Sequence, residues 1–413
     1  MRKRIMTLLA MLVCFNVSMP VHAIQMGTEQ KPAQAAITKA LKMGEGVETP
    51  NLTFSFEFTS VSVDNITATD QNMPVIGEKT IKFSASDNGE TIDGVKTVHK
   101  ESESLFDGIT WPHAGVYVYT ISEKQSVKEN LSTQESITFS PAKYTVTVYV
   151  ANGAKGPYVA AIGTVITVTE GQPGVNPNDK VEGTPGGDPA IDGDYSKMIF
   201  TNTYMKNNTT GNPKDYTLAI SKEVKTADSP EYDFANRTMY FDFNITVTKS
   251  SVNANDTQKY KVFIMEGDDV VTDKNNYNGT ILTDTTYGNY FLLTTGEEAT
   301  VHLAHGQWMS FIDLELGSSY TVTELAKANF TPSCIQVING KSNQHQGTVN
   351  TSLSIPKETI TAGDDRADFV NTLNKVTPVG IKVDNLPYII LLSIGLCSLI
   401  LYILIKSRKE EKE

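Results

Sequence analysis

The sequence predicts an all-β protein, two tandem β-sandwich bodies framed by an N-terminal signal peptide and a C-terminal transmembrane helix. Three observations carry that expectation. Apolar and polar residues alternate with a period of two wherever the chain is regular, segments of membrane-routing type stand at both ends, and one set of polar residues recurs in the same order in both halves.

The ends come first. Residues 1–23 follow the secretory plan: Arg2, Lys3 and Arg4, a mainly apolar run, then Val21-His22-Ala23 with compact residues at the cleavage positions. A lipoprotein signal at Cys14 fits less well, because Met11-Leu12-Val13 precedes it where a small residue is required. Residues 386–405 form a charge-free apolar run of 20 residues, the length that crosses a hydrocarbon core. Lys406, Arg408 and Lys409 follow, which makes residues 406–413 a cytoplasmic tail. The intervening body is therefore exported and tethered to the membrane by its tail.

A chain of 413 residues is too long for one compact domain. The runs Leu52-Thr53-Phe54-Ser55-Phe56-Glu57-Phe58, Tyr144-Thr145-Val146-Thr147-Val148-Tyr149 and Met239-Tyr240-Phe241-Asp242-Phe243-Asn244-Ile245 read as half-buried antiparallel strands. Asp87-Asn88-Gly89, Asn278-Gly279 and His305-Gly306 punctuate them as turns. A Gly- and Pro-rich stretch at 170–194 reads as a long surface loop, and 205–214 as a short linker. The expected bodies are 24–206 and 215–375, followed by a spacer at 376–385.

Composition narrows the function. The net charge of −12, from 47 acidic against 35 basic residues, disfavours a phosphate backbone as partner, so nucleic-acid binding is not expected. Of three cysteines only Cys334 lies in the exported body, which leaves it without an internal disulfide. His302 and His305 fall on opposite faces of a strand-hairpin stretch, unlike the paired histidines of a zinc helix. Asp192-Gly193-Asp194 reads as a solvated turn before a calcium loop. With no phosphate-cradling loop and no nucleophile elbow, neither a cofactor nor an enzyme acting on other molecules is expected.

Each body opens with a lysine-bearing strand (Ile37-Thr38-Lys39-Ala40-Leu41; Leu218-Ala219-Ile220-Ser221-Lys222-Glu223-Val224). Each later has a Tyr-rich strand ending in Glu123 or Glu324, and each closes on a strand carrying Asn202 or Asn371. All six polar residues share parity with the apolar residues of their strands, so they point inward. Lys42, one step out of phase with Lys39, faces solvent. Burial disfavours charge, which lowers a lysine pKa and raises that of a glutamate. A neutral amine is then a nucleophile for the asparagine carboxamide, with a protonated glutamate polarising the carbonyl and shuttling protons to departing ammonia. Folding supplies the proximity. The expected products are isopeptide bonds Lys39–Asn202 and Lys222–Asn371, promoted by Glu123 and Glu324.

Trp111-Pro112-His113-Ala114-Gly115-Val116-Tyr117 running into Glu123, then Lys143-Tyr144-Thr145-Val146 and Ile199-Phe200-Thr201-Asn202, resemble the streptococcal-type major pilins of Gram-positive bacteria. The second body carries a looser version, His302 to Gly306 through Leu316-Gly317 to Glu324. The resemblance spans nearly the whole exported body. It implies tandem Ig-like domains, each with an autocatalytic Lys–Asn bond, in a structural subunit of a pilus or surface stalk. It also implies a sorting signal for a sortase, matched by Val376-Thr377-Pro378-Val379-Gly380, in which Val379 takes the usual threonine position. Sortase cleavage there joins the chain to other pilin subunits or to peptidoglycan; an uncut chain stays membrane-anchored at the cell surface. The resemblance further implies an acceptor lysine just before the first asparagine, which falls on Lys197. The alternative is an accessory pilin or adhesin that binds an unidentified ligand through its loops.

Overall fold

A computed structural model describes residues 24–69, 71–186, 194–207, 209–226, 239–374 and 386–410. The signal segment 1–23, with Cys14, and the sorting motif from Val376 to Gly380 lie outside the described residues.

The period-two pattern becomes strands. In Gly115–Val127 the buried positions are Tyr117, Tyr119, Ile121 and Glu123, every second residue. The first body consists of an eight-stranded and a five-stranded sheet, and the second of a nine-stranded and a four-stranded sheet. Within each body the two sheets face one another across a shared apolar interior: the Phe56 and Phe200 rings, from opposite sheets, are 5.1 Å apart, and Phe243 and Phe369 are 5.2 Å apart. Burying each such ring contributes about 1.5–3 kcal/mol.

Strand pairing brings the two ends of each body together. The opening strand Thr38–Gly44 runs parallel to the closing strand Ile199–Lys206, with Lys39 beside Phe200 and Leu41 beside Asn202. In the second body Leu218–Thr226 runs parallel to Arg366–Leu373, with Lys222 beside Phe369 and Val224 beside Asn371. The registers match: each lysine sits opposite the residue two before the asparagine. Parallel neighbours need a long crossover, and here the rest of each body provides it. The glutamates come from the opposing sheets, on Gly115–Val127 and Ser319–Glu324.

The Trp111 motif sets the entry to the first glutamate strand. Trp111 is buried with its ring 4.8 Å from that of Tyr117, and the Tyr117 hydroxyl donates to the His113 carbonyl at 2.8 Å. The indole and this tether fix where Gly115–Val127 begins, and so the position of Glu123 eight residues further along the same strand.

Three sequence expectations need adjustment. The stretch 205–214 is not a free linker: Asn207 forms a β-bridge with Glu315, Leu316 N–H donates to the Lys206 carbonyl at 2.8 Å, and the buried Thr209 hydroxyl donates to the Ile312 carbonyl. Backbone groups enclosed there take partners from the second body. The loop region 170–194 contains a two-residue strand, Lys180–Val181, paired with Pro157–Val168, so it is partly docked on the eight-stranded sheet. The transmembrane expectation at 386–405 coincides with a helix, Leu386–Glu410, but among the described residues no helix is long and apolar enough to cross a membrane. The described side chains there, 390–403, are all exposed.

Candidate functional site

The fold brings the predicted residues together in two triads, each between facing sheets. In the first, Lys39 Nζ lies 3.0 Å from Glu123 Oε1, and the same oxygen accepts a hydrogen bond from Asn202 Nδ2 at 3.0 Å. In the second, Lys222 Nζ lies 3.0 Å from Glu324 Oε1, which accepts from Asn371 Nδ2 at 2.7 Å. One carboxylate oxygen thus touches both the amine and the carboxamide nitrogen in each body. All six side chains are buried, Lys39 and Asn202 at 0% exposure.

The electrostatics follow from that burial. Desolvation pushes Lys39 and Lys222 down to about 8, against the opposing pull of the adjacent glutamates. Desolvation also raises Glu123 and Glu324, again opposed by their lysine partners. Both shifts favour the neutral pair, with the proton on the acid and the lone pair on the amine. Oε2 of each glutamate is buried without a hydrogen-bond partner.

Two aromatic positions complete each site. Lys39 Nζ lies 4.8 Å from the centre of the Phe54 ring, and Lys222 Nζ lies 4.3 Å from that of Phe241. Two residues further along the same strands, Phe56 and Phe243 pack on Phe200 and Phe369, the residues beside the lysines in register. These rings exclude water from the amines. Sequence reasoning treated them only as strand residues; the signal was Phe-x-Phe at the same spacing in the strand after each lysine strand, Phe54-Ser55-Phe56 and Phe241-Asp242-Phe243.

One assigned role changes. Sequence reasoning gives the glutamate two roles, polarising the carboxamide carbonyl and carrying protons to departing ammonia; in both bodies its Oε1 accepts from the carboxamide nitrogen. That geometry suits proton delivery to ammonia and leaves the carbonyl oxygen to other groups. The sites also differ in satisfaction. Lys39 Nζ donates to the Phe200 carbonyl at 2.9 Å, whereas Lys222 Nζ, though at ion-pair distance from Glu324, has no partner in hydrogen-bond geometry.

The remaining candidates lie apart from the triads. Lys42 is exposed. Lys197 is exposed on the outward parity just before the closing strand, with Nζ 4.1 Å from the centre of the Tyr195 ring and its backbone N–H donating to the Glu182 carbonyl at 2.7 Å. His302 pairs through Nδ1 with Asp242 at 2.6 Å, and His305 Nδ1 accepts from Val224 N–H at 3.0 Å, so the two histidines serve separate partners. Cys334 is buried as a free thiol, and burial raises its pKa.

Residues 35–205 match the family described as a Spy0128-like isopeptide containing domain, and residues 216–373 match a domain of unknown function, DUF7601. No curated protein matches the chain. Among solved structures, the chain is similar to the major pilin of Streptococcus pyogenes, at 19% identity over 84% of this chain and 100% of that one, with a TM-score of 0.32. The T3.2 major pilin of the same organism gives 16% identity over 86% of this chain and 99% of that one, with a TM-score of 0.33. A pilus-presented adhesin, Spy0125 (Cpa), gives 17% identity over 56% of this chain and 37% of that one, with a TM-score of 0.23. Lys39, Glu123 and Asn202 all fall within the matched residues 35–205. The first body thus matches the Spy0128-like isopeptide containing domain across nearly its whole length.

Proposed function

We propose that the chain is a structural subunit of a pilus or surface stalk, and that two self-formed isopeptide bonds, Lys39–Asn202 and Lys222–Asn371, lock its Ig-like domains, 24–206 and 215–375. The observation that carries this reading is the repeated triad, in which one buried carboxylate oxygen bridges lysine and asparagine on adjacent parallel strands.

The chemistry is acyl transfer within the folded chain. A proton passes from the lysine ammonium to the glutamate, leaving a neutral pair in the dry interior. The amine attacks the carboxamide carbon and the carbonyl electrons move to Oδ1. The glutamate delivers its proton to Nδ2 and takes one from the attacking nitrogen, so it ends protonated and holds the proton that came from the lysine ammonium until the released ammonia takes it. The carbon–nitrogen bond breaks, ammonia leaves and the amide remains. Because each bond joins a strand near the start of its body to the body's last strand, force along the chain passes through a covalent link instead of peeling those strands apart.

The same reading makes residues 1–23 a cleaved signal and the exposed helix at the tail a membrane anchor for the precursor. A sortase then cleaves between Val379 and Gly380 and links the chain to Lys197 of the next subunit or to peptidoglycan. Intact mass of the recombinant body tests the central claim, since each bond removes one ammonia, about 17 Da. A deficit of two such increments is expected. A mass equal to that of the sequence overturns the bonds.

A further inference from the structure

The two triads differ at the atom on which negative charge develops during acyl transfer. Asn202 Oδ1 accepts the backbone N–H of Ser140 at 2.7 Å. Asn371 Oδ1 is buried and has no hydrogen-bond partner among the described residues.

Topology supplies the reason. Ser140 lies between Glu135–Thr138, in the five-stranded sheet, and Lys143–Asn152, in the eight-stranded sheet. The chain crosses there from one sheet to the other, so a backbone N–H is released from strand pairing and faces the side chains between the sheets. In the second body the antiparallel neighbour of the closing strand is the continuous strand Phe330–Ile338, and the residue opposite Asn371 is Pro332, which has no N–H.

Ser140 is itself held in place. It is buried, its hydroxyl donates to Glu170 Oε1 and accepts from Ala142 N–H at 3.1 Å, and its carbonyl accepts from Gln125 Nε2 at 3.1 Å. Glu170 Oε1 also accepts Thr201 N–H at 2.6 Å, on the residue before Asn202, while Oε2 accepts from Gln172 Nε2 at 2.6 Å. One carboxylate oxygen therefore clamps the segment that carries the donor to the strand that carries the acceptor. The Ser140 N–H has a second effect: a flipped Asn202 would aim its own amide hydrogens at this donor, so the contact fixes Nδ2 toward Glu123.

Resting on the bond-forming reading above, we propose that the Ser140 backbone N–H is the oxyanion donor of the first site and Glu170 its positioning residue, and that the first bond consequently forms faster than the second. In the attack step the electrons of the Asn202 carbonyl move to Oδ1, where this hydrogen bond is already aligned. Loss of one such donor commonly costs on the order of a hundredfold or more in rate. The second site starts without one.

The test follows both bonds in the full chain, kept in denaturant from synthesis onward and then diluted to fold. Samples quenched over time are digested, and the cross-linked peptides joining Lys39 to Asn202 and Lys222 to Asn371 are measured separately by mass spectrometry, with folding followed in parallel by circular dichroism. The first peptide should appear at least tenfold sooner. Glu170→Ala should slow the first bond roughly tenfold after folding is complete and leave the second unchanged, while Glu170→Gln, which retains an acceptor oxygen for Thr201, should restore much of the rate. Ser140→Pro, which removes the donor itself, should bring the first bond to the rate of the second or below, and formation of the second bond reports that the chain still folds. Equal rates in the unsubstituted chain, or a Glu170→Ala effect that only mirrors slower folding, overturns the assignment. Absence of both cross-linked peptides overturns the bonds themselves.

Discussion

Replacing Asn202 by alanine isolates what the proposed first covalent link contributes to stability. The bond would close a loop of about 160 residues, and chain entropy assigns such a closure about 5 kcal/mol. Alanine keeps Lys39 and Glu123 at 3.0 Å, so no buried charge loses its partner. It does leave the Ser140 N–H without its acceptor, which costs about a further 1–3 kcal/mol. A body of this size melts 2–4 °C lower for each kcal/mol lost, which places the first-body transition roughly 10–30 °C below its position in the unsubstituted protein. Calorimetry on the exported body, with intact mass on the same samples, reads both effects together. Asn202→Ala should carry one ammonia deficit where the parent carries two, and the second-body transition should move little. A first-body transition within about 3 °C of the parent, despite loss of the mass increment, would show that the link does not stabilise by loop closure.

Three other outcomes follow from the geometry and a fourth from the sequence. Glu324→Ala should remove only the second mass increment, and should destabilise its body by about 3–5 kcal/mol beyond loss of the bond, because Lys222 is left buried without its carboxylate; equal melting of Glu324→Ala and Asn371→Ala refutes that ordering. Phe241→Ala opens the cover 4.3 Å from Lys222 Nζ, so it should both destabilise the second body by about 3–5 kcal/mol and slow its cross-link, read as the Lys222–Asn371 peptide. Asn202→Ala leaves the Lys39 amine free, and burial holds that amine at about 8 in the unlinked fold against 10.5 unfolded, so the unfolded state binds more protons within that window. Its stability should accordingly gain as pH rises through the window, relative to Asn202→Ala/Lys39→Met in denaturant titrations; a difference that stays flat argues against a desolvated lysine. Material released from the cell wall should end at Val379 and be joined to Lys197 or peptidoglycan, and peptide maps that retain Gly380 to Glu413 would make the chain a membrane-anchored surface protein instead.

The sequence by itself determined which residues face inward. Strand parity is a local property: side chains alternate with a period of two whatever the strand pairs with, so Lys39, Glu123, Asn202, Lys222, Glu324 and Asn371 were legible as interior polar groups, and their repetition suggested a shared chemistry. The Trp111 motif was legible too, because its tether to the glutamate strand spans only a few residues. The tertiary structure alone decided how these groups meet. Sheet membership puts lysine and asparagine on one wall and glutamate on the other, and register sets the two-residue offset between the parallel strands. Which carboxamide atom the glutamate touches depends on contacts between segments far apart in sequence: Ser140 meets Asn202 across 62 residues and Glu170 meets Thr201 across 31. No local pattern encodes such pairings, because they arise where the chain crosses between sheets, and a crossover releases backbone donors that a regular strand keeps within its ladder. Ser140 and Glu170 therefore read as ordinary loop residues in the sequence, and only the packed sandwich turns them toward the carbonyl of Asn202.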